Sequence, residues 1–192
     1  MLQHGCPWWL GFLLVNPLRR LWQDPGKVLA PYVREGMTVL EPGPGMGFFT
    51  LELARLVGPS GRVVALDIQP RMLAGLKRRA SRAGLLRRLD TRLVSANTLG
   101  LADLDGGVDF TLAFGVVHEL PAVEPFFAEV AKASKAGAGL LFAEPADHVK
   151  MPDFEAELQA ATRAGFELVG RLSIWRSRAA CLRKGTLTTF CT

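Results

Sequence analysis

Three alternate glycines stand in the segment Glu41-Pro-Gly-Pro-Gly-Met-Gly47, which is the part of the sequence best suited to hold a ligand. Glycine has no Cβ, so Gly43, Gly45 and Gly47 allow the backbone to turn sharply and to approach a bound molecule closely. A helical pattern follows, and its N-terminus would point into the same site. A tight turn without a ligand is the alternative, but alternate glycines between a strand and a helix favour binding.

The spacing and charge of this loop favour S-adenosylmethionine over a dinucleotide. Dinucleotide folds use G-x-G-x-x-G, whereas here the spacing is G-x-G-x-G and Phe48 stands where the third glycine would be needed. Glu41 faces the loop, and a carboxylate there repels a pyrophosphate but attracts a cation. S-adenosylmethionine carries a sulfonium and an ammonium and no phosphate. We therefore expect it to bind, and NAD not to bind.

Polar residues at other strand ends complete the predicted cofactor site. Asp67 ends the second strand, where a carboxylate can accept hydrogen bonds from both ribose hydroxyls. A turn-forming Asp before Ile68 is the alternative interpretation. Asn97 follows the third strand and has an amide oxygen that can accept a hydrogen bond. Ile68, Thr98 and Phe114 are predicted to contact the same ligand.

The candidates for catalysis follow the fourth and fifth strands. Methyl transfer is a displacement at an already activated carbon, so a base is needed only if the nucleophile carries a proton. His118 and Glu119 follow strand four and His148 follows strand five, and both histidines are expected to face the acceptor rather than the adenosine. Ordinary surface or capping histidines are the alternative. Cys6 is a candidate reactive thiol or soft-metalloid ligand, against a buried small hydrophobe.

Short apolar segments alternate with amphipathic segments after Gly36, which predicts βαβ units and a parallel sheet. Strands are predicted at 37–40, 62–67, 91–96, 109–114, 139–144, 166–172 and 179–183, and helices at 48–57, 70–83, 123–136 and 153–164. Only residues 173–178 separate the last two strands, so these should form a hairpin with one antiparallel strand. The carboxyl ends of the parallel strands would then bring the polar residues together.

Length and charge bear on the number of domains and on nucleic acid as a partner. The 192 residues suit one domain, which we divide into an N-terminal helical lid (1–36) and a Rossmann-like domain (37–192). The net charge is +5, and much of the excess lies between Lys77 and Arg92. That stretch is a nucleic-acid surface or, more simply, the solvated face of a helix. No aromatic residue interleaves with these charges, which makes nucleic acid unlikely as a partner.

The cysteines and the N-terminal aromatic residues bear on location. Three widely spaced cysteines argue against a disulfide framework, and a reducing cytoplasm is the natural compartment. No window reaches the roughly 20 apolar residues of a membrane-spanning helix. The cluster that contains Trp8, Trp9 and Phe12 is expected to close the site as a lid. A homodimer interface and a membrane-surface anchor, in which Trp22 would join the cluster, are the alternatives.

Four segments, 39–47, 63–68, 108–114 and 140–145, resemble the successive motifs of class I S-adenosylmethionine-dependent methyltransferases. The resemblance covers about residues 25–185. It implies an α/β, doubly wound, seven-stranded and mostly parallel sheet of order 3-2-1-4-5-7-6, with strand 7 antiparallel. It assigns Glu41 and the three glycines to the methionine part of the cofactor and Asp67 to the ribose. Asn97, where the family usually has an acid, would bind the adenine amine.

The opening Cys-Pro-Trp-Trp (6–9), with Asn-Pro-Leu-Arg-Arg (16–20), is similar to a little-characterised bacterial and archaeal subgroup of that family. We therefore expect methyl transfer to O, S, N or a metalloid of a small molecule, with S-adenosylhomocysteine as the product and no bound metal. An RNA-modifying or RNA-binding protein is the alternative, and a membrane-surface protein is a third possibility. Phe-Gly-Val-Val-His-Glu (114–119) stands where an amino-methylating nucleic-acid enzyme would carry an Asn-Pro-Pro-Tyr type motif, which weakens the RNA alternative.

Overall fold

Seven segments form one sheet in the part of the chain that the computed structural model describes, residues 19–186. Four of them are largely buried and apolar. The strands are β1 (Thr38–Pro42), β2 (Arg62–Asp67), β3 (Leu89–Leu93), β4 (Val108–Phe114), β5 (Ser134–Pro145), β6 (Phe166–Ile174) and β7 (Ser177–Lys184). Their order is β3-β2-β1-β4-β5-β7-β6. β7 pairs antiparallel with both neighbours, and the other pairs are parallel. The fold and strand order implied by the resemblance are confirmed.

Helices cover both faces of this sheet. They are α1 (Arg19–Trp22), α2 (Pro25–Leu29), α3 (Thr50–Leu56), α4 (Pro70–Arg82), α5 (Val123–Ala133) and α6 (Met151–Arg163), with 3-10 turns at Leu86–Arg88, Ala102–Leu104 and Val117–Glu119. Pro70 opens α4 at a position where its missing N–H costs no hydrogen bond. None of the helices in residues 19–186 is long and apolar enough to cross a membrane.

The boundary between α5 and β5 differs from the prediction. We predicted a helix to residue 136 and a strand from 139, but α5 ends at Ala133 and β5 begins at once with Ser134. The Ser134 hydroxyl donates to the Val130 carbonyl oxygen at 2.7 Å, while the backbone of Ser134 already pairs with Val108. Gly137 has a φ of 77° and lies within the strand instead of ending the helix.

The third strand also ends earlier than predicted. We placed it at 91–96, but β3 spans Leu89–Leu93. The chain then leaves the sheet, and Ser95 and Thr98 form an isolated antiparallel bridge. This early exit turns the predicted end of the strand into a loop at the carboxyl edge of the sheet.

An apolar cluster lies on each face of the sheet. On one face α5 and α6 bury Phe127, Phe142 and Phe154. On the other face α3 and α4 bury Leu53 and Leu76. Because both faces are covered, a ligand can reach the sheet only at its edges, and the carboxyl edge is where the predicted site residues lie.

An exposed aromatic pair joins the first described helix to the β6–β7 hairpin. Trp22 of α1 stacks on Trp175 at the tip of the hairpin, with ring centroids 6.0 Å apart and planes at 21°. Both rings keep about half of their surface exposed, 59% for Trp22 and 47% for Trp175. Arg176, next in the chain, has a φ of 52°, which closes the tight turn between the two strands.

Candidate active site

A cavity of about 620 Å³ opens at the carboxyl ends of β1, β2 and β4. Small-ligand sites have volumes of roughly 300–1,000 Å³, so one cofactor fits. Of the predicted cofactor residues, Glu41, Gly43, Gly45, Asp67, Ile68, Asn97, Thr98 and Phe114 line it. Gly47 is absent from this lining. The carboxyl edge therefore gathers residues that are far apart in the sequence.

The three glycines have different tasks, although all have positive φ angles of 67°, 54° and 87°. A Cβ on Gly43 would lie 2.8 Å from Val116 Cγ2, and one on Gly47 would lie 2.5 Å from Leu76 Cδ1. Those two glycines permit close packing within the protein. A Cβ on Gly45 would meet no atom within 4 Å, so Gly45 faces the open cavity. Gly45 is the position at which the backbone can approach a ligand.

Glu41 lies next to the last residue of β1, lines the cavity and is 3% exposed. Its Oε2 atom has no hydrogen-bond partner among the described residues. Burial raises the pKa of Glu41 to about 8, against the lowering effect of the nearby Thr50 hydroxyl, and the negative charge of Asp67 adds to the increase. A buried acceptor without a partner is costly, so this atom suits a ligand that brings a donor or a positive charge. The ammonium of S-adenosylmethionine fits that requirement.

Asp67 makes a turn-forming contact and also lines the cavity. Its Oδ1 accepts a hydrogen bond from the Gln69 backbone N–H at 2.8 Å, which is a turn-forming contact. The residue also lines the cavity and is 8% exposed. Burial raises the pKa of Asp67 to about 6, against the lowering effect of the backbone N–H groups of Gln69 and Gly45. A carboxylate with one oxygen anchored in this way can present the other to ribose hydroxyls.

The loop after β3 carries Asn97 and Thr98 into the cavity wall. Glu129 of α5 holds this loop, because its carboxylate accepts from the Thr98 hydroxyl at 3.0 Å and from the Leu99 and Gly100 backbone N–H groups at 3.0 and 3.1 Å. Thr98 therefore has a structural partner, while no hydrogen bond from another residue of 19–186 engages the side-chain amide of Asn97. No local signal pointed to Glu129, which is one charge on an amphipathic helix.

Arg19 of α1 also lines the cavity. Its guanidinium carbon lies 4.1 Å from the centroid of the Phe48 ring, and its Nε donates to Gln23 Oε1 at 2.8 Å. Burial lowers the pKa of Arg19 below its ordinary value. Neither Arg19 nor Phe48 was among the predicted site residues, although Arg19 belongs to the quoted segment Asn-Pro-Leu-Arg-Arg.

His118 forms a pair with a fully buried acid on the β4–β5 side of the site. Glu144, at the end of β5, is 0% exposed and accepts from the Val117 backbone N–H at 2.8 Å through Oε1. Its Oε2 contacts His118 Nδ1 in a short hydrogen bond. This bond raises the pKa of His118, against the lowering effect of burial. Because Nδ1 is engaged, Nε2 is the ring nitrogen that remains for other chemistry.

A second buried acid and the second histidine surround this pair. Glu157 of α6 is 8% exposed, and burial raises its pKa to about 7, with Glu144 adding to the increase. The rings of His118 and His148 lie 6.0 Å apart at 66°. Neither histidine lines the cavity, but Val116, Glu119 and Pro145, which flank His118 and Glu144 in the sequence, do. The pair therefore adjoins the cavity wall.

Of the other predicted site residues, some lie in the described part of the chain and some lie outside it. Glu119 lines the cavity and is exposed. Cys6 and the cluster around Trp8 lie outside the described residues, so their predicted roles stay predictions. Within residues 19–186 there is no group of three or more His, Cys, Asp or Glu side chains that could hold a metal ion.

The basic stretch between Lys77 and Arg92 is partly used inside the protein. Arg79 donates to the Met46 carbonyl oxygen in a short hydrogen bond, and Arg88 donates to the Ala54 carbonyl oxygen at 2.9 Å. Arg92 bridges Asp90 and Asp103, each at 2.7 Å. These arginines stabilise loops and helix ends, including the loop that contains the glycines.

Comparisons with known proteins agree with this geometry. A family model described as a methyltransferase domain matches residues 33–185. A structure titled as an S-adenosylmethionine-dependent methyltransferase from Aquifex aeolicus superimposes with a TM-score of 0.82 at 26% identity, covering 93% of this chain and 98% of that one.

Curated relatives match over shorter spans. The chain is 30% identical over 141 residues to the ubiquinone/menaquinone biosynthesis C-methyltransferase UbiE of Erwinia tasmaniensis, covering 73% of this chain and 53% of that protein. It is 36% identical over 67 residues to the tRNA (adenine) N1-methyltransferase TrmI of Methanocaldococcus jannaschii, covering 34% and 24%. The chain thus spans about half the length of the first of these relatives. The family model, the strand order and the cavity lined by acids and by the glycine loop all point to the same family. The chain belongs to the class I methyltransferases, whose cofactor is S-adenosylmethionine.

Proposed function

We propose that this protein transfers the methyl group of S-adenosylmethionine to a small-molecule acceptor. The observation that carries the proposal is the buried Glu41 Oε2 atom, which has no hydrogen-bond partner among the described residues and lies in the same cavity as the open backbone of Gly45. Such an acceptor in a cavity stabilises a cationic ligand and disfavours a phosphate-bearing one. Bound S-adenosylmethionine supplies a methyl group that its sulfonium activates.

The size of the cavity and the short connections favour a small acceptor. The cavity of about 620 Å³ must hold the cofactor, and the acceptor must reach the methyl group from the adjoining side, where His118 lies. The connection from β5 to β6 holds the single helix α6. A separate domain for a macromolecular substrate is not present among residues 19–186.

His118 is the residue that we propose as the acceptor-side base. Glu144 holds Nδ1 and so directs Nε2 away from the buried acid. When a protonated nucleophile attacks the methyl carbon, the carbon–sulfur bond breaks and the proton of the nucleophile moves to Nε2. Glu144 then stabilises the imidazolium that forms, because a carboxylate beside a histidine favours the charged form.

The arginine contacts weaken the RNA alternative in part, because they engage three of the seven basic residues between Lys77 and Arg92, while Lys77, Arg78, Arg82 and Arg87 are exposed. Arg79, Arg88 and Arg92 are engaged by carbonyl oxygens and carboxylates of this chain. A surface that binds phosphates needs its cations available to them. TrmI is named as acting on tRNA, but its match covers 34% of this chain.

The deciding experiment incubates the full chain with S-adenosylmethionine and separate pools of phenols, thiols, amines, quinones, arsenite and bulk RNA, and follows S-adenosylhomocysteine. We expect turnover with one of the small-molecule pools and none with RNA. The matched control is Asp67→Ala, which should weaken S-adenosylhomocysteine binding by about 1.5–3 kcal/mol, the scale of a hydrogen bond to a charged group. Turnover with RNA alone would contradict the proposal, as would equal affinity for NAD.

A further inference from the structure

Trp22 and Trp175 form an exposed aromatic surface outside the cofactor cavity. Their rings stack with centroids 6.0 Å apart and remain 59% and 47% exposed. Neither ring lines the cavity at the carboxyl ends of β1, β2 and β4. We propose that this indole pair docks the protein on the surface of a lipid bilayer, with both rings in the layer between headgroups and acyl chains. The inference concerns docking and does not depend on the acceptor proposed above.

The strand register places the indole pair at the same edge of the sheet as the proposed acceptor side. Pro145 ends β5 and pairs with Ser177 of β7, which pairs in turn with Ile174 at the end of β6. Trp175 comes next in the chain, so it lies level with the carboxyl end of β5, where the acid that contacts His118 is found. Docking through the indoles would therefore bring the acceptor side close to the bilayer.

The turn that carries Trp175 is held in place by its neighbour Arg176. The φ of Arg176 is 52°, a left-handed value that favours glycine. Its carbonyl oxygen accepts from the Ala146 backbone N–H at 2.9 Å, and its guanidinium pairs with Asp147 at 2.9 Å. The guanidinium carbon also lies 5.5 Å from the centroid of the Trp175 ring. A half-exposed indole on a turn that is fixed in this way loses little conformational freedom when it docks.

The size of this surface favours a bilayer over a protein partner. A tryptophan side chain buries about 150–250 Å² in a contact, so two half-exposed rings offer roughly 150–250 Å² between them. Met151 at the start of α6 is also 47% exposed and adds a little more. A stable protein interface needs about 800 Å² from each partner. Indole combines an apolar ring with an N–H donor, which is why tryptophan is enriched at membrane–water interfaces. The area suits weak and reversible docking on lipid.

The charges beside the indole pair balance. Lys27 and Asp24 line one groove together with both rings, and Arg176 pairs with Asp147. The apolar contact therefore has to supply most of the affinity, so docking should depend little on salt. The basic stretch between Lys77 and Arg92 would act differently, because a contact made through its charges requires anionic lipid and weakens as salt rises.

The test is co-sedimentation of the full chain with two kinds of vesicle, at low and at high salt. One kind is pure phosphatidylcholine, and the other contains phosphatidylglycerol as one lipid in three. We expect the wild type to bind both, with an affinity that changes less than about threefold between the two salt concentrations. The double variant Trp22→Ala and Trp175→Ala should bind both about 10- to 100-fold more weakly, because it loses the apolar area of both rings.

Two further variants make the result specific. Leu168→Ala is the matched control, because Leu168 is 48% exposed on β6 but lies towards the opposite end of that strand from Trp175. It should bind vesicles as the wild type does. Lys77→Glu with Arg78→Glu reverses two exposed charges of the basic stretch and should leave binding to phosphatidylcholine unchanged. The tryptophan variant should keep the wild-type affinity for S-adenosylhomocysteine, which shows that it is folded.

Several outcomes would overturn the inference. A wild type that ignores both vesicles, or a tryptophan variant that binds them equally well, would remove the indole pair from any membrane contact. Binding to anionic vesicles alone that high salt abolishes would assign the contact to the basic stretch. A wild-type dimer that the tryptophan variant turns into a monomer, measured by sedimentation equilibrium without lipid, would assign the pair to a second copy of the chain. A turnover assay that finds no acceptor would leave the vesicle result intact, so the two proposals can fail separately.

Discussion

The two sides of the carboxyl edge hold their buried acids in opposite ways. On the cofactor side, Glu41 is buried with an oxygen that has no partner among the described residues. On the β4–β5 side, Glu144 is buried more completely, yet both oxygens are engaged by Val117 and His118. The first acid therefore has an oxygen that a ligand could satisfy, whereas both oxygens of the second acid are satisfied within the protein.

This difference predicts different roles in folding and binding. A buried acceptor without a partner reduces the stability of the ligand-free protein and increases the gain when a cation binds. A buried acid with both oxygens satisfied stabilises the ligand-free protein and fixes its neighbours in place. Substitutions on the cofactor side should therefore change affinity, and those on the β4–β5 side should change stability or turnover.

The largest expected effect is on turnover. His118→Ala should lower kcat by about 10²–10⁴-fold, the usual contribution of a positioned base. S-adenosylhomocysteine affinity should stay within about twofold, because His118 does not line the cavity. Steady-state kinetics and titration measure the two quantities. His148→Ala is the comparison, and its smaller effect is expected because the residue is exposed. A folded His118→Ala protein that loses cofactor binding would erase the distinction between the two sides.

The next effect is on the free energy of unfolding. Glu144→Gln replaces one acceptor oxygen by an amide NH₂, so it should destabilise the protein by about 1–3 kcal/mol. Glu41→Gln is the matched substitution on the cofactor side, where the Oε2 atom has no hydrogen-bond partner among the described residues. Urea unfolding of both variants at pH 7 measures the contrast. Equal destabilisation by the two substitutions would contradict it.

The same pair of variants should respond differently to pH. The pKa of Glu41 is raised to about 8 in the folded protein, from 4.5. The folded state thus holds a proton that the unfolded state has lost, and the contribution of Glu41 to stability falls as pH rises through this window. Glu41→Gln removes the ionisable group, so at pH 9 the variant should be more stable than the wild type. A less stable variant at pH 9 would show that Glu41 is not buried as described.

The smallest effect is a proton released on binding. At pH 7 the Glu41 carboxyl is largely protonated in the ligand-free protein, because its pKa is about 8. The ammonium of the cofactor favours the ionised form, so binding should release up to about one proton per site, and affinity should rise between pH 6 and 8. Titrations in buffers of different ionisation enthalpy count these protons. Glu41→Gln should release none at pH 7, and an unchanged proton count in this variant would assign the release to another group.

The sequence predicted the sheet and the cofactor loop well, because both depend on local signals. Glycines that require positive φ angles and apolar segments of strand length are visible in any single sequence. The boundary at Ala133 was wrong because Gly137 looks like a helix stop, whereas the pairing of Ser134 with Val108 ends the helix earlier. That pairing joins residues far apart in the sequence.

The side-chain partners could not be predicted for the same reason. Glu144 was visible as the end of the fifth strand, but its contact with His118 spans 26 positions. Glu129 was one of several charges on an amphipathic helix, and only the fold places it under the loop after β3. Arg19 was quoted as part of a motif without a role, since nothing local indicates that it stacks on Phe48.

The stacked indoles of Trp22 and Trp175 give the protein an internal optical reporter. Their transition dipoles are close enough, at 6.0 Å between ring centroids, for exciton coupling to appear in the near-ultraviolet circular dichroism spectrum. One ring belongs to the short helix that carries Arg19, and the other lies at the tip of the β6–β7 hairpin. Separation of that helix from the hairpin would therefore change the spectrum without any attached dye. Stopped-flow dichroism of the unlabelled chain would then follow, on the millisecond scale, how this corner of the molecule responds when the cofactor arrives.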